Sequence, residues 1–338
     1  MESTYNSYSR LIDEIRIGGP LIQTTTPNPK VEESWQYCLP DVPKNENDSS
    51  VCGKPFDQKF LPYLEEFNLT DDQIFQMTQL DNERILRKDP TFITAFSDNH
   101  FDVAYGIMLK TFAEVHSSKK MIVYDLGLSA ENVVKIRKLS QVLTVRQFNF
   151  SAYPEYVKNL YQYRWKSLLI AETLNEFGSI FYADSHIIWQ KDDIGSLYTK
   201  IRCPLTKNTT DCHYDNSTLL LCHTEHSIFS ATDKRLYEYF PLNPRQSKRI
   251  EMGCTMFQLN YATSDAKREI HKWSVLCALE KDCIAPPNSQ LQCKFGDDRY
   301  SVYANCHGFD QSVINILLAN RNKFDVSKYL VNFNHKRT

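Results

Sequence analysis

Two kinds of hydrophobic block alternate through the middle of this chain. Short apolar, β-branched runs fall at 91–96 (TFITAF), 121–124 (MIVY), 142–148 (VLTVRQF) and 180–182 (IFY), each of a length suited to a buried strand. Between them, apolar residues recur at helical spacing. One helix is expected from Phe101 to about Glu114, after Ser97-Asp98-Asn99, and another from Ser129 through Leu139. A third begins near Tyr156 and carries Leu168, Leu169, Ala171, Leu174 and Phe177 before Gly178 breaks it. A β-α-β-α-β series of this kind predicts a mostly parallel, right-handed, Rossmann-like α/β sheet flanked by helices. Beyond it the elements become shorter and are interspersed with cysteines and turns, until a clear amphipathic helix at 311–320 (QSVINILLAN). The first 75 residues look different. TTTPNP (24–29) has a linker composition, and Cys38 and Cys52 could close a loop around the polar run KNENDSS. A partly flexible stem or lead-in over 1–75 and a folded domain over 76–338 are therefore expected.

The cysteines place the chain in an oxidising compartment. There are ten, eight of them between Cys203 and Cys306, at spacings that miss the C-x2–4-C pattern of zinc sites. Disulfides are expected instead: Cys38 with Cys52, and the later eight among themselves, with Cys277–Cys283 as a short-range bridge. Five N-x-[ST] triplets, at Asn47, Asn68, Asn149, Asn208 and Asn216, agree with a lumenal (Golgi or endoplasmic reticulum) or secreted protein. The N-terminal stretch MESTYNSYSRLIDEIRIGG has no apolar h-region and does not read as a signal peptide. An upstream exon would reconcile the two. A net charge of −2 gives no reason to expect a nucleic-acid partner, and no window reaches the ~20 apolar residues of a membrane span.

Candidate chemistry concentrates between Tyr163 and Gln190. Asp184-Ser185-His186 follows directly on the fourth strand, at the carboxyl end where open α/β sheets bind ligands. Arg164 and Lys166 open the preceding helix, where cations are unfavourable unless an anion is bound nearby. A divalent cation on Asp184 and His186, with Lys166 beside it, would suit a nucleotide diphosphate. Each residue also has a plainer reading: Asp184 as a strand-end cap, Asp98 as a helix N-cap, His307 and Asp310 as caps of the last helix. His307 competes with His335 for the place of a third metal ligand, and His226 reads as structural.

From about residue 90 to 320 the chain resembles a family of glycosyltransferase-like proteins, expanded in nematodes and classed as a domain of unknown function. The phrases that carry the resemblance are FITAFSDNHF (92–101), VYDLGLS (123–129), YRWKSLLIAE (163–172), YADSHI (182–187) and CHGFDQSVINILL (306–318). The resemblance implies a GT-A-like fold and transfer of a sugar from a nucleotide-diphosphate donor to a glycan or glycoprotein acceptor. It puts Thr94 and Asp98 at the nucleotide, Lys166 by the diphosphate, and Asp184 and His186 at the D-x-D metal position. His186 stands there where a second Asp is usual, which favours Mn²⁺ over Mg²⁺ or a metal-independent site. Glu251, on EMG (251–253), and Asp310, in the Asp310-Gln311 pair, fall at the donor sugar, as base or as support for an oxocarbenium-like centre. The altered metal motif keeps open a catalytically silent glycan- or nucleotide-binding relative. The cysteines keep open a secreted interaction protein.

Overall fold

The computed structural model describes residues 31–40, 50–190, 194–202, 205, 214–333 and 336–337. The chain divides into two units, Met1–Glu32 and Glu33–Thr338, and the elements described below all lie in the second. A hairpin of β1 (Gln36–Cys38) and β2 (Cys52–Pro55) comes first, closed by the Cys38–Cys52 disulfide. The central strands are β3 (Thr91–Phe96), β4 (Met121–Asp125), β5 (Leu143–Gln147) and β6 (Ser179–Ala183). After β7 (Ile187–Ile188) follow β8 (Thr218–Leu220), β9 (His223–Ser227), β10 (Glu251–Gly253) and β11 (Phe257–Tyr261). The main sheet runs β5-β4-β3-β6-β11-β8. Its first four strands are parallel, and β11 is inserted antiparallel between β6 and β8. The expected mostly parallel α/β sheet is thus present, extended by two strands that the hydrophobic pattern conceals. Gln258 and Asn260 on β11 are almost fully buried, so the strand lacks the apolar run of a central strand.

Alternation along each strand sends side chains to two apolar layers. Ile93, Ala95, Ile122, Tyr124 and Tyr182 face one layer. It is built with α2 (Arg164–Phe177), α3 (Lys272–Leu279) and α4 (Asp310–Arg321), whereas α1 (Ala130–Leu139) buries its Ile136 in the layer on the opposite face. Phe92, Phe96, Met121, Val123, Phe181 and Phe257 face the other layer, against Met108, Leu109 and Phe112 of the helical segment 101–115. That segment is a continuous helix interrupted by a π turn at Ala104–Met108. The helix expected from Tyr156 begins instead at Arg164. Pro154 and the Asn159 cap shape the preceding residues into short 3₁₀ turns, and Tyr163 adopts a left-handed conformation (φ 54°). Gly178, at φ 82°, ends α2 with its N–H on the Leu174 carbonyl, as its position suggested.

The lead-in differs from the expected stem from Glu33 onward. Tyr37, Phe56, Phe60 and Leu64 are buried in the first layer, with the Tyr37 ring edge-on to Phe240 and Trp273. Lys272, wholly buried on α3, is ion-paired with Glu33 and Asp71. Apolar residues scattered through a polar segment, without period, hide such a role. Among the described residues no helix is long and apolar enough to cross a membrane.

Four disulfides are described: Cys38–Cys52, Cys222–Cys254, Cys277–Cys283 and Cys293–Cys306. Three belong to the C-terminal half, and two are the bridges expected from sequence; Cys203 and Cys212 lie outside the described residues. Non-reducing peptide mapping should recover these four pairs. Replacing Cys293 and Cys306 by serine should lower stability by about 2–4 kcal/mol in chemical denaturation. Recovery of mostly free thiols would overturn the pairing.

Candidate functional site

Strands β4 and β5 extend the sheet to one side of β3, whereas β6 lies on the other. The crevice between β3 and β6 is therefore a topological switch point, and the loops leaving both strands open into it. His100, from the loop after β3, meets His186, from the loop after β6, with ring centroids 5.4 Å apart. Beside them Asp184, its N–H bonded to the Met256 carbonyl at 2.8 Å, turns its carboxylate inward.

Lys166 receives it. The Lys166 side chain is 3% exposed, and its Nζ lies 3.3 Å from Asp184 and 3.5 Å from Asp310. The Tyr182 hydroxyl donates to Asp184 Oδ1, and the Thr255 hydroxyl donates to Asp310 Oδ2 at 2.7 Å. Three distant pieces of chain, α2, the end of β6 and the start of α4, thus converge on one ammonium. Burial works against the charged lysine, but Asp184 and Asp310 outweigh it, so Lys166 holds its proton above the usual lysine range. Burial also raises the Asp310 carboxyl above its ordinary value, only partly offset by Lys166 and Thr255. The helix N-termini of α2 and α4 both end here and add positive partial charge. Each follows a strained residue: Tyr163 at φ 54° and Phe309 at φ 51°, ψ −117°, their rings 6.0 Å apart. Strain of this kind gathers at functional sites.

A polar layer supports the cluster from below. Gln258 and Asn260 of β11 are hydrogen-bonded to each other and to Thr255 and Thr218. With Ser167, Ser274, His271 and Lys166 they surround a small cavity of about 10 Å³, room for one water.

The other candidates are placed elsewhere. Arg164, two residues before Lys166, points away from the crevice. Its guanidinium donates to the carbonyls of Ala278, Glu280 and Lys281 and stacks on Tyr156, tying α2 to the end of α3. His307 is buried with both ring nitrogens used: Nδ1 accepts from Asp233 N–H and Nε2 donates to the Ile284 carbonyl, each at 3.1 Å. It has no lone pair left for a metal. Thr94 is on the face of β3 shared by Phe92 and Phe96, the opposite face from Tyr182. Asp98 accepts from the Ser129 N–H (3.0 Å) and the Asn132 side chain (2.9 Å) at the start of α1. Glu251 accepts from His223 and from the N–H groups of Thr224 and Glu225. His335 lies outside the described residues.

Asp184 and His186 come together at the strand end, each already holding a protein partner. The Asp184 oxygens are engaged by Lys166 and Tyr182, and the His186 Nδ1 lies 3.1 Å from Ser185 Oγ. Among the described residues no group of three His, Cys, Asp or Glu side chains is placed to hold a metal ion. Sequence reasoning passed over Tyr182, Thr255 and His100. Only Tyr182 left a local signal, since it stands two residues before Asp184 on a strand and so shares its face.

Residues 27–171 match the family described as “Protein of unknown function (DUF1647)”. No curated protein matches the sequence. Matching solved structures include the apo form of the bifunctional glycosyltransferase WbbM (10% identity, TM-score 0.38, covering 73% of this chain and 39% of that one). A second is the galactosyltransferase LgtC with donor and acceptor sugar analogs (13%, TM-score 0.32, 53% of this chain and 59% of that one). A third is core-mannan synthase A from Aspergillus fumigatus in its Mn/GDP form (10%, TM-score 0.33, 69% and 70%). The match spans less than two thirds of the length of WbbM and LgtC.

Removing the ammonium should cost more than removing either acid. Lys166→Met leaves two carboxylates facing each other in a buried site and should destabilise by about 3–5 kcal/mol. Asp310→Asn keeps the Thr255 bond and should stay within about 1 kcal/mol of the parent, as read by urea denaturation. A second expectation concerns pH. Burial lowers His271 and His307 to about 4. The folded state therefore resists protonation that the unfolded chain accepts near pH 6.5. Their contribution is complete above that pH and is lost as pH falls towards about 4, by about 3 kcal/mol for each histidine. His307→Asn, which still accepts from Asp233, should flatten the fall in urea midpoint between pH 7 and 5.

Proposed function

We propose that this chain is a nucleotide-sugar-dependent glycosyltransferase with a glycan or glycoprotein acceptor. The observation that carries the reading is the buried Lys166–Asp184–Asp310 cluster at the switch point of a parallel sheet. Cofactor and nucleotide sites form at such crevices, and a charge cluster held fixed there is suited to stabilising charge that develops during reaction. The five sequence phrases that resemble the glycosyltransferase-like family supply most of the residues involved.

In this reading the donor lies across the carboxyl ends of β3 and β6. The imidazoles of His100 and His186 present N–H donors to the diphosphate at the mouth, and the sugar points inward to Asp184 and Asp310. The acceptor hydroxyl attacks the anomeric carbon as its bond to the diphosphate oxygen breaks; the diphosphate leaves with the electron pair and takes up the hydroxyl proton. Asp310 supports the positive charge on the sugar. It takes this role ahead of Glu251 because it shares Lys166 with Asp184, whereas Glu251 is bound by His223 and two backbone N–H groups. Lys166 is a built-in cation of the site and pairs with both acids; a divalent cation on Asp184 and His186 would add charge at the diphosphate. The disulfides favour a lumenal or secreted location. The ion pair on Asp184 also suits a non-catalytic nucleotide- or glycan-binding relative, and turnover separates the two.

Thermal shift with UDP and GDP, in EDTA and in Mn²⁺, should show stabilisation by one nucleotide in both media. A screen of nucleotide sugars should show hydrolysis of the matching donor. Asp184→Asn should reduce that turnover by two orders of magnitude or more, roughly 3–4 kcal/mol of transition-state stabilisation. Stabilisation only with Mn²⁺ would return Asp184 and His186 to the role of metal ligands. Nucleotide binding without hydrolysis of any donor would establish the non-catalytic alternative.

A further inference from the structure

Away from the β3/β6 crevice, the cysteine-rich half carries a groove of about 610 Å³. This lies within the roughly 300–1,000 Å³ of small-molecule sites. Three aromatic side chains, Phe229, Tyr237 and Tyr303, line it, and Tyr303 is 41% exposed. Three amides, Asn288, Gln290 and Asn305, line it as well. Asn288 (φ 62°) and Asn305 (φ 54°) both adopt left-handed backbone, which asparagine tolerates better than most residues.

The groove is held in shape before any ligand arrives. The Cys293–Cys306 disulfide joins its two rim loops. Gln290 donates to the Asn305 carbonyl (2.8 Å) and accepts from the His307 N–H (2.8 Å). Gly308 N–H is bonded to the Ala231 carbonyl, and Thr232 Oγ1 to Ser312 Oγ on α4. Preorganisation of this kind reduces the entropy lost on binding. The buried His307, which takes no part in the donor reading, is the pin between the floor at Asp233 and the rim loop.

We propose that this groove binds carbohydrate: a short run of neutral sugar units stacked on Tyr303, with hydroxyls on the rim amides. Aromatic faces with amide donors and acceptors match the apolar face and hydroxyl edge of a pyranose ring. Of the two cationic side chains that line the groove, Lys234 and Arg235, the Arg235 guanidinium is spent in a two-point pair with Asp233, at 2.9 and 2.6 Å, which leaves Lys234 alone to meet an anionic ligand. The wall that carries Asn305 runs in five residues to Asp310, at most about 18 Å of chain. The sugar chain is therefore placed to serve as the acceptor side of the transfer. That assignment of role rests on the donor-site reading, whereas binding itself does not.

The test is calorimetric titration of the full chain with neutral oligosaccharides (manno-, chito- and N-acetyllactosamine series) and with a sulfated oligosaccharide, all without nucleotide. Neutral binding is expected. Tyr303→Ala should weaken it at least tenfold, and Tyr303→Trp should retain it, both with unchanged melting temperature. Absence of neutral binding, binding confined to the sulfated ligand, or full binding by Tyr303→Ala would each overturn the groove. Neutral binding in a chain that answers to no nucleotide would uphold the groove and remove the donor-site reading instead. The converse result would remove the groove alone.

Discussion

A single buried ammonium organises the functional end of this molecule. Lys166 lies beneath the surface, where an uncompensated charge would be lost to deprotonation, and it stays charged because two carboxylates reach it. Those carboxylates arrive from different directions: Asp184 at the exit of β6, and Asp310 at the first turn of α4. Among the described residues neither acid meets another buried cation, so the ion cluster fixes how α2, β6 and α4 come together. The dependence is mutual. The sheet must place β6 beside β3 for Asp184 to emerge at the switch point, and α4 must dock end-on for Asp310 to reach it.

The docking of α4 shows how much of the scaffold serves this geometry. Asn315 on α4 bonds both the N–H (2.7 Å) and the carbonyl (2.8 Å) of Gly253, and Gln311 adds a bond to the same carbonyl. A side chain at Gly253 would meet Leu220 at 2.6 Å, so only glycine lets β10 lie this close. From Gly253 the chain passes through Cys254, bridged to Cys222, to Thr255, whose hydroxyl holds Asp310. The disulfide-rich half acts as a brace for the acid that the parallel half cannot itself supply.

Basic and titratable groups in the same phrases divide into two uses. Arg164 and His307 satisfy backbone carbonyls and amides and join segments, whereas Lys166 and Asp310 face each other across the site. Burial is similar in all four, so burial alone does not separate scaffold from chemistry. What separates them is the partner: neutral backbone dipoles in one case, a formal opposite charge in the other. Opposite charges brought together inside a fold leave a field that a ligand can use, while saturated backbone bonds leave none.

The parallel strands, the helix α1 with its Ser129 cap, the end of α2 at Gly178 and the last helix were all legible in the sequence. These are local properties, set by runs, caps and breaks within a dozen residues. Asp184 at a strand exit and Lys166 on the preceding helix were legible for the same reason. Which of Arg164 and Lys166 would face the crevice was not. Residues two apart on a helix point about 200° from each other, and only the packing of α2 on the sheet decides which side is inward. The meeting of Lys166 with Asp310 and of Asp310 with Thr255, the loss of His307 to Asp233 and Ile284, and the insertion of polar β11 into the sheet are contacts between distant segments. Sequence spacing carries no information about them. They were decided by tertiary structure, because a buried charge or amide takes whichever partner the completed fold brings within reach.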